Sequence, residues 1–300
     1  MAKNTTKRCH WVSQSYLKPF SADADRKRIW RHSKTSGDPE LKLIEKVAVR
    51  HHLYAPMGPD GRRDDGLERK LSSLERWFGE PIWGVVCNDF PDLTWEPLRK
   101  MLALLTATTF VRNPLQFERW KATHVGMRNL YAQVDTPPTH VTLGGRRYEV
   151  DPSDWPDFKS AGDEEMKSAW NDYVAGAGDI APKLLSMRWA VLFCDQPMFV
   201  TSDNPVNIIH PSLQFKGLND PETIVSFPLS PTRILMMDNR HGEPNGAYYP
   251  LRHDPAVENL LIWRNAIDHM FSPRDPIQVC MEINDDADRA GFGPAPLSNE

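Results

Sequence analysis

Cysteine is sparse in this chain and long apolar runs are missing. The 300 residues hold four cysteines, Cys9, Cys87, Cys194 and Cys280, and their wide spacing excludes both a zinc ribbon and a disulfide scaffold. They are read as reduced thiols. No stretch of about 18 uninterrupted apolar residues, the length a membrane span needs, occurs. The opening MAKNTTKRCHW lacks the apolar segment of a secretory signal. The expectation is a cytoplasmic chain with no membrane partner. Also missing are GxxxxGK followed by Ser or Thr, GxGxxG, HExxH, GxSxG and CxxC. The phosphate loops, zinc-protease helices, nucleophile elbows and redox pairs that those patterns mark are therefore set aside. No internal repeat is visible.

What is present is enough apolar residue, 40% of the chain, to build a proper core, which excludes a disordered, collagenous or coiled-coil protein. The ten tryptophans read mostly as core or edge packing rather than as base-stacking platforms. The formal net charge of -4 conceals a polarity along the chain. Residues 1–150 hold 25 Lys and Arg against 17 Asp and Glu, while residues 151–300 hold 11 against 23. A basic first half suits a polyanion such as nucleic acid, and it equally suits packing of the two halves on each other.

Short strands are expected around Ile29-Trp30 and Val47–Val49, and a turn-rich loop from Pro56 to Gly66. Leu67, Leu71, Leu74, Trp77 and Phe78 recur at three- and four-residue steps and predict a helix. A second, buried helix follows, capped by Thr94, with Pro97 in its first turn and Leu98, Met101, Leu102, Leu105 and Phe110 inside. It should kink or stop at Arg112-Asn113-Pro114 and continue to Tyr131. His140–Leu143 and Arg146–Val150 around Gly144-Gly145 read as an exposed hairpin flap. Asp163 should cap a helix reaching Met187. Trp189–Cys194 with Met198–Thr201, and Thr223–Phe227 with Arg233–Met237, predict two hairpins; Pro255–Ile267 predicts a helix and His269–Phe271 a strand. The fold class is α+β, a helical middle packed on a mostly antiparallel sheet. Residues 1–285 are expected to form a single domain with the hairpin inserted near 137–155, and residues 286–300 a flexible tail.

Four groups of polar residues stand out. In His10–Phe20, apolar Val12, Tyr16, Leu17 and Phe20 alternate with His10 and Gln14, so one helical turn can anchor in the core while presenting an imidazole. Thr201-Ser202-Asp203-Asn204-Pro205 follows an apolar strand, where Asp203 can orient a histidine or hold a divalent ion, although Ser, Asp and Asn before proline also make an ordinary capped turn. Glu68 and Glu75 are seven residues apart and share a helix face, with Glu75 in reach of a buried Arg112; that ion pair serves a structural clamp as well as a ligand site. Asn265 ends a short helix, a position where Asn is a common cap. His51-His52 and Asp64-Asp65 lack metal-motif spacing and read as surface pairs.

These segments together resemble a known family. His10-x-Val12-x-x-x-Tyr16-Leu17-x-x-Phe20, Leu67-Glu68, Leu74-Glu75, Arg112-x-Pro114, Thr201–Val206, Phe227–Pro231 and Asn265 resemble a bacterial and phage family of domains of unknown function, family 4238, from about His10 to Ser272. The chain departs from it at Ser13, where the family has proline, and in a larger insertion around Pro137–Trp155. The resemblance implies that His10, Glu75, Arg112, Asp203 and Asn265 belong together, and it implies no reaction. Two functions stay open. One is a hydrolase, nuclease-like, with His10, Asp203, Arg112 and Glu75 catalytic, Gln14, Tyr16, Ser202, Asn204 and Asn265 binding, and a divalent metal compatible with the donors. The other is a nucleic-acid- or protein-binding module, phage- or defence-associated, in which the same residues tie the N-terminal segment to the sheet.

Overall fold

The computed structural model describes residues 8–58, 60–143, 146–212, 214, 216–252 and 255–289. In chain order the elements are strand β1 (Arg8–His10), helix α1 (Gln14–Leu17), β2 (Arg28–Ser33), β3 (Pro39–Leu43), β4 (Val49–His51), α2 (Gly66–Glu75) and α3 (Pro81–Asn88). The helical middle follows: α4 (Glu96–Val111), α5 (Pro114–Leu130), the hairpin β5 (His140–Leu143) and β6 (Arg146–Glu149), α6 (Trp155–Ser160), α7 (Asp163–Ala175) and α8 (Ala181–Ser186). The last third holds β7 (Arg188–Phe193), β8 (Thr201–Ser202), β9 (Asn207–Ile209), β10 (Ile224–Ser230), β11 (Arg233–Asp238), β12 (Ala247–Pro250), α9 (Ala256–Asn265), β13 (His269–Ser272) and α10 (Pro276–Arg289).

The fold is α+β. One sheet runs β12-β7-β11-β10-β9, antiparallel except where β12 lies parallel to β7, and a second runs β3-β2-β13-β8, antiparallel throughout. The near-continuous apolar sequence of β10 and β11 follows from their place inside the first sheet, where both faces are covered. Helices α3, α4 and α8 pack over it, and Leu98, Leu102, Leu105, Phe227, Leu235 and Trp189 belong to one core. A smaller core under α9 and α10 joins Phe199, Val200, Ile262, Met270, Val279 and Ile283.

Proline and asparagine set the break between the two long helices. Arg112 closes α4, and the Asn113 carboxamide oxygen accepts the Leu115 amide at 2.8 Å, capping α5 with Pro114 at its first position. Thr94 is not the cap of α4: helix begins at Glu96, and the Thr94 amide and hydroxyl donate to Asp92 at 2.8 and 2.6 Å. Nor does one helix run from Asp163 to Met187, because Gly176 and Gly178 loosen it into a tight turn before α8 restarts at Ala181. Gly162, with the Glu165 carboxylate accepting its amide, starts α7, and Asp163 pairs with Lys121 at 2.7 Å instead.

The expected hairpin of residues 189–194 with 198–201 does not form. β7 pairs with β11 and β12, while β8 pairs with β13 in the other sheet, so the chain between them crosses from sheet to sheet. Asn259 makes the crossing feasible, its carboxamide accepting from the Val200 amide and donating to the Met198 carbonyl, both at 3.1 Å. Helix α10 extends to Arg289, into the stretch expected as a tail, and residues 290–300 lie outside the described residues, as do Gly144 and Gly145 at the flap's turn. No helix among the described residues is long and apolar enough to cross a membrane.

Candidate functional site

β1 carries His10 and lies antiparallel to β4, Cys9 opposite Arg50 and His10 opposite Val49. Ala48, just before β4, has a left-handed φ of 46° and accepts the Trp11 amide at 3.0 Å. Beyond Trp11 the chain turns at Ser13 into α1, whose Tyr16 and Leu17 are buried. Tyr16 stacks on Phe227 with ring centroids 5.1 Å apart, donates its hydroxyl proton to the Pro228 carbonyl at 2.7 Å and accepts from the Thr201 hydroxyl at 2.8 Å. Its role is anchorage: the phenol holds α1 to β10 and β8.

Arg112 fixes the other side of β1. It is 3% exposed, donates from Nε to the Trp11 carbonyl at 2.8 Å and from Nη2 to the His10 carbonyl, and pairs through Nη1 with Glu75 Oε1 at 2.5 Å. Its own carbonyl accepts the Tyr54 hydroxyl at 2.6 Å. Burial opposes its charge, but Glu75, Tyr54 and Glu68 around it outweigh burial and hold the guanidinium charged. All three sides of the fork are taken up by protein, so Arg112 is a clamp between β1 and α2.

Asp203 does not meet His10. Its Oδ1 accepts the Ile267 amide at 2.7 Å and its Oδ2 the Asp268 and His269 amides at 2.9 and 3.0 Å, so the carboxylate caps the turn that leads into β13. The Trp11 indole donates to the Asp203 carbonyl at 2.8 Å. Next to it, Asn113 donates to Asn204 Oδ1 at 2.7 Å, Asn204 donates to the Asn265 carbonyl at 2.9 Å, and Asn265 donates to the Asn204 and Val206 carbonyls at 2.9 and 3.0 Å. Ser202 accepts the Asn204 amide at 3.1 Å. These groups form a closed buried network that joins β1, the start of α5, the segment after β8 and the end of α9.

What the fold leaves open is a polar cleft of about 520 Å³ in front of this network, lined by Arg8, His10, Gln14, Lys18, Glu45, Glu68, Ser72 and Glu75, with Ser13 and Ser15 at the turn. The residues of the shared motifs are thus divided: His10, Gln14 and Glu75 line the cleft, Arg112 stands behind them, and Asp203, Ser202, Asn204, Asn265 and Tyr16 hold the wall in place. His10 Nε2 lies 3.1 Å from the Glu45 carbonyl, which can only accept, so Nε2 carries the proton. Nδ1 keeps its lone pair and receives only a long 3.4 Å contact from the Gln14 amide. Burial holds the imidazole below its ordinary 6.5, against the opposing pull of the Glu45 carbonyl and Glu75, so it is neutral at pH 7.

Glu68 is the unusual group. Burial pushes its carboxyl up to about 7, Arg112 pulling the other way, and Oε2 is buried without a hydrogen-bond partner beside the thiol of Cys9. Glu68 and Glu75 line the cleft together, as their seven-residue spacing on α2 allows, but in different surroundings: one half-buried beside the Cys9 thiol, the other in an ion pair. Arg8 and Lys18 add two exposed cations at the cleft, neither ion-paired among the described residues. Their signal in sequence was only their place beside the His10 motif, and Glu45 acts through its main chain, which leaves no signal. For a metal, the described groups with ligand atoms within 4.8 Å of one another are Asp203–Asp268–His269 and His210–Asp220–Glu222, and neither lines the cleft. The three amides that converge on Asp203 place positive dipole ends where a cation would sit.

A family model described as a protein of unknown function (DUF4238) matches residues 8–266, which takes in β1, the cleft, the clamp and the Asn204–Asn265 network. The chain belongs to this family. No curated protein and no solved structure matches it. In this DUF4238 chain the match ends one residue past Asn265, so β13 and α10 lie beyond it.

Proposed function

We propose that this DUF4238 chain is a hydrolase of nuclease type whose active site is the cleft between β1, α1 and α2. The observation that carries the reading is Glu68, a carboxyl half-protonated near pH 7 that lines the same cleft as a neutral imidazole with a free lone pair. Two titratable groups whose surroundings set them apart in this way can act as acid and base. His10 Nδ1, released from its weak contact with Gln14, takes a proton from water. The water oxygen attacks phosphorus, the bond from phosphorus to the leaving oxygen breaks, and the Glu68 carboxyl gives its proton to that oxygen. Arg112 and Glu75 act as positioning residues that hold β1 against α2.

The test is product analysis of wild type, His10→Ala and Glu68→Gln mixed with nucleotides, phosphate esters and short RNA and DNA, each with and without Mg²⁺ and Mn²⁺. Turnover should fall at least about a hundredfold in both variants while circular dichroism stays unchanged. The pH profile should be bell-shaped, falling on the acid side below 6.5 and on the alkaline side near 7. Absence of product from every substrate, or full turnover by His10→Ala, removes the reading. The second reading, a binding module, is favoured by the complete use of Arg112, Asp203, Asn204 and Asn265 in tethering; it is selected by ligand-dependent stabilisation without product.

A further inference from the structure

Helix α2 is the wall of two depressions. Ser72 and Glu75 line the polar cleft, and their chain neighbours Ser73 and Arg76 line a groove of about 410 Å³ with Trp77, Glu80, Pro81 and Ile82. The two thus lie on neighbouring sides of one helix, about 100° apart around its axis. Trp77 is 45% exposed, and among the described residues its indole stacks on no other ring. Its neighbour Phe78 turns inward and meets Tyr16 and Trp83 at 5.6 and 4.7 Å. Arg76 is exposed without an ion pair among the described residues, as are Arg8 and Lys18 at the cleft.

We infer that the cleft and the groove together seat a single-stranded nucleic acid, one base stacking on Trp77 and the flanking phosphates meeting Arg76, Arg8 and Lys18. The inference deepens the hydrolase reading by naming its substrate, and it rests on that reading for the chemistry alone. The chemistry of recognition is that of sequence-tolerant strand binding: Lys18 and Arg76, without ion pairs among the described residues, and Arg8, which donates from Nη2 to the Glu45 carbonyl at 2.6 Å, follow the backbone, and an exposed indole offers a face to any base. A duplex keeps its base faces stacked inside and cannot present one to Trp77, so the geometry selects single strands. Trp83, Trp170 and Trp189 are buried, and Trp95, which is exposed, does not line the cleft or the groove.

The test is fluorescence anisotropy with short labelled oligodeoxythymidine and oligouridine and with a duplex of the same length, using the full chain in EDTA at several salt concentrations. Single strands of either sugar should bind and the duplex should bind at least about tenfold more weakly. Trp77→Ala should weaken strand binding about tenfold to a hundredfold, and Trp77→Phe, which keeps a ring, should recover part of the loss. Lys18→Ala with Arg76→Ala should reduce the salt slope by about 1.4, from about 0.7 for each phosphate contact on a single strand. The half-exposed Trp77 can be replaced without opening the core, and circular dichroism checks this. Equal affinity for duplex and strand, unchanged binding by Trp77→Ala, or no binding at low salt overturns the inference. Strands that bind through Trp77 but are never cut remove the hydrolase reading and leave the inference standing; hydrolysis of another substrate without strand affinity does the reverse.

Discussion

Glu68→Gln isolates the cost of placing a carboxyl where the fold puts this one. In the unfolded chain the group titrates near 4.5 and in the fold at about 7, so between those values the native state holds a proton that the unfolded state has released. Stability from this group is therefore fully present below pH 4.5 and is lost as pH rises through 7. At about 1.4 kcal/mol for each pH unit, the interval sets an upper bound of roughly 3.5 kcal/mol. Because the side chain borders an open cleft, about 1–2 kcal/mol is the realistic loss. Glutamine keeps the shape of the protonated acid and cannot ionise. The variant should match wild type at pH 4.5 and melt about 2–6 °C higher at pH 8. Thermal unfolding of both proteins by circular dichroism, across that range, measures it. A difference that does not change with pH, or a variant less stable than wild type at pH 8, would show that Glu68 is not held protonated by burial.

Three further outcomes follow from the packing. Asp203→Asn keeps one acceptor oxygen and turns an NH₂ group toward backbone donors, which should cost about 2–4 kcal/mol in urea unfolding; a loss below about 0.5 kcal/mol contradicts the capping role. Arg112→Met leaves the His10 and Trp11 carbonyls and the Glu75 carboxylate without their partner, a loss of about 3–5 kcal/mol, and adding Glu75→Gln should restore part of it in a double-mutant cycle. Strict additivity would mean that the ion pair carries no coupling. Ala48→Gly relieves a left-handed alanine and should raise stability by up to about 1 kcal/mol after the extra freedom of the unfolded glycine is counted, with a decrease refuting the strain argument.

Periodic features could be read directly from sequence and non-local ones could not. Val12, Tyr16, Leu17 and Phe20 are all buried because an apolar pattern this dense has one way to face a core. The i, i+7 spacing of Glu68 and Glu75 became a shared cleft wall because a helix maps spacing onto direction. Asp203 was different: its partners are main-chain amides some 64 to 66 residues later, and amides carry no residue-type signal. The crossing between sheets was hidden for a similar reason, since Asn259, far along the chain, supplies the hydrogen bonds that a local hairpin would have made. Helix α10 does show apolar spacing at Val279 and Ile283, but acidic residues and the Gly- and Pro-rich stretch after it masked the pattern.

The closed network behind the cleft also sets an order of assembly. Trp11 is held by residues 112 and 203, and residue 203 is in turn held by residues 267–269. During synthesis β1 emerges among the first segments, yet its indole has nowhere to bond until about 190 more residues have followed. Contacts of such long sequence separation are slow to close. A growing chain therefore carries His10 and Glu68 for most of its synthesis with the Trp11 and Asp203 bonds behind them unmade, and the wall that positions them is completed only after Asp268 and His269 have been added.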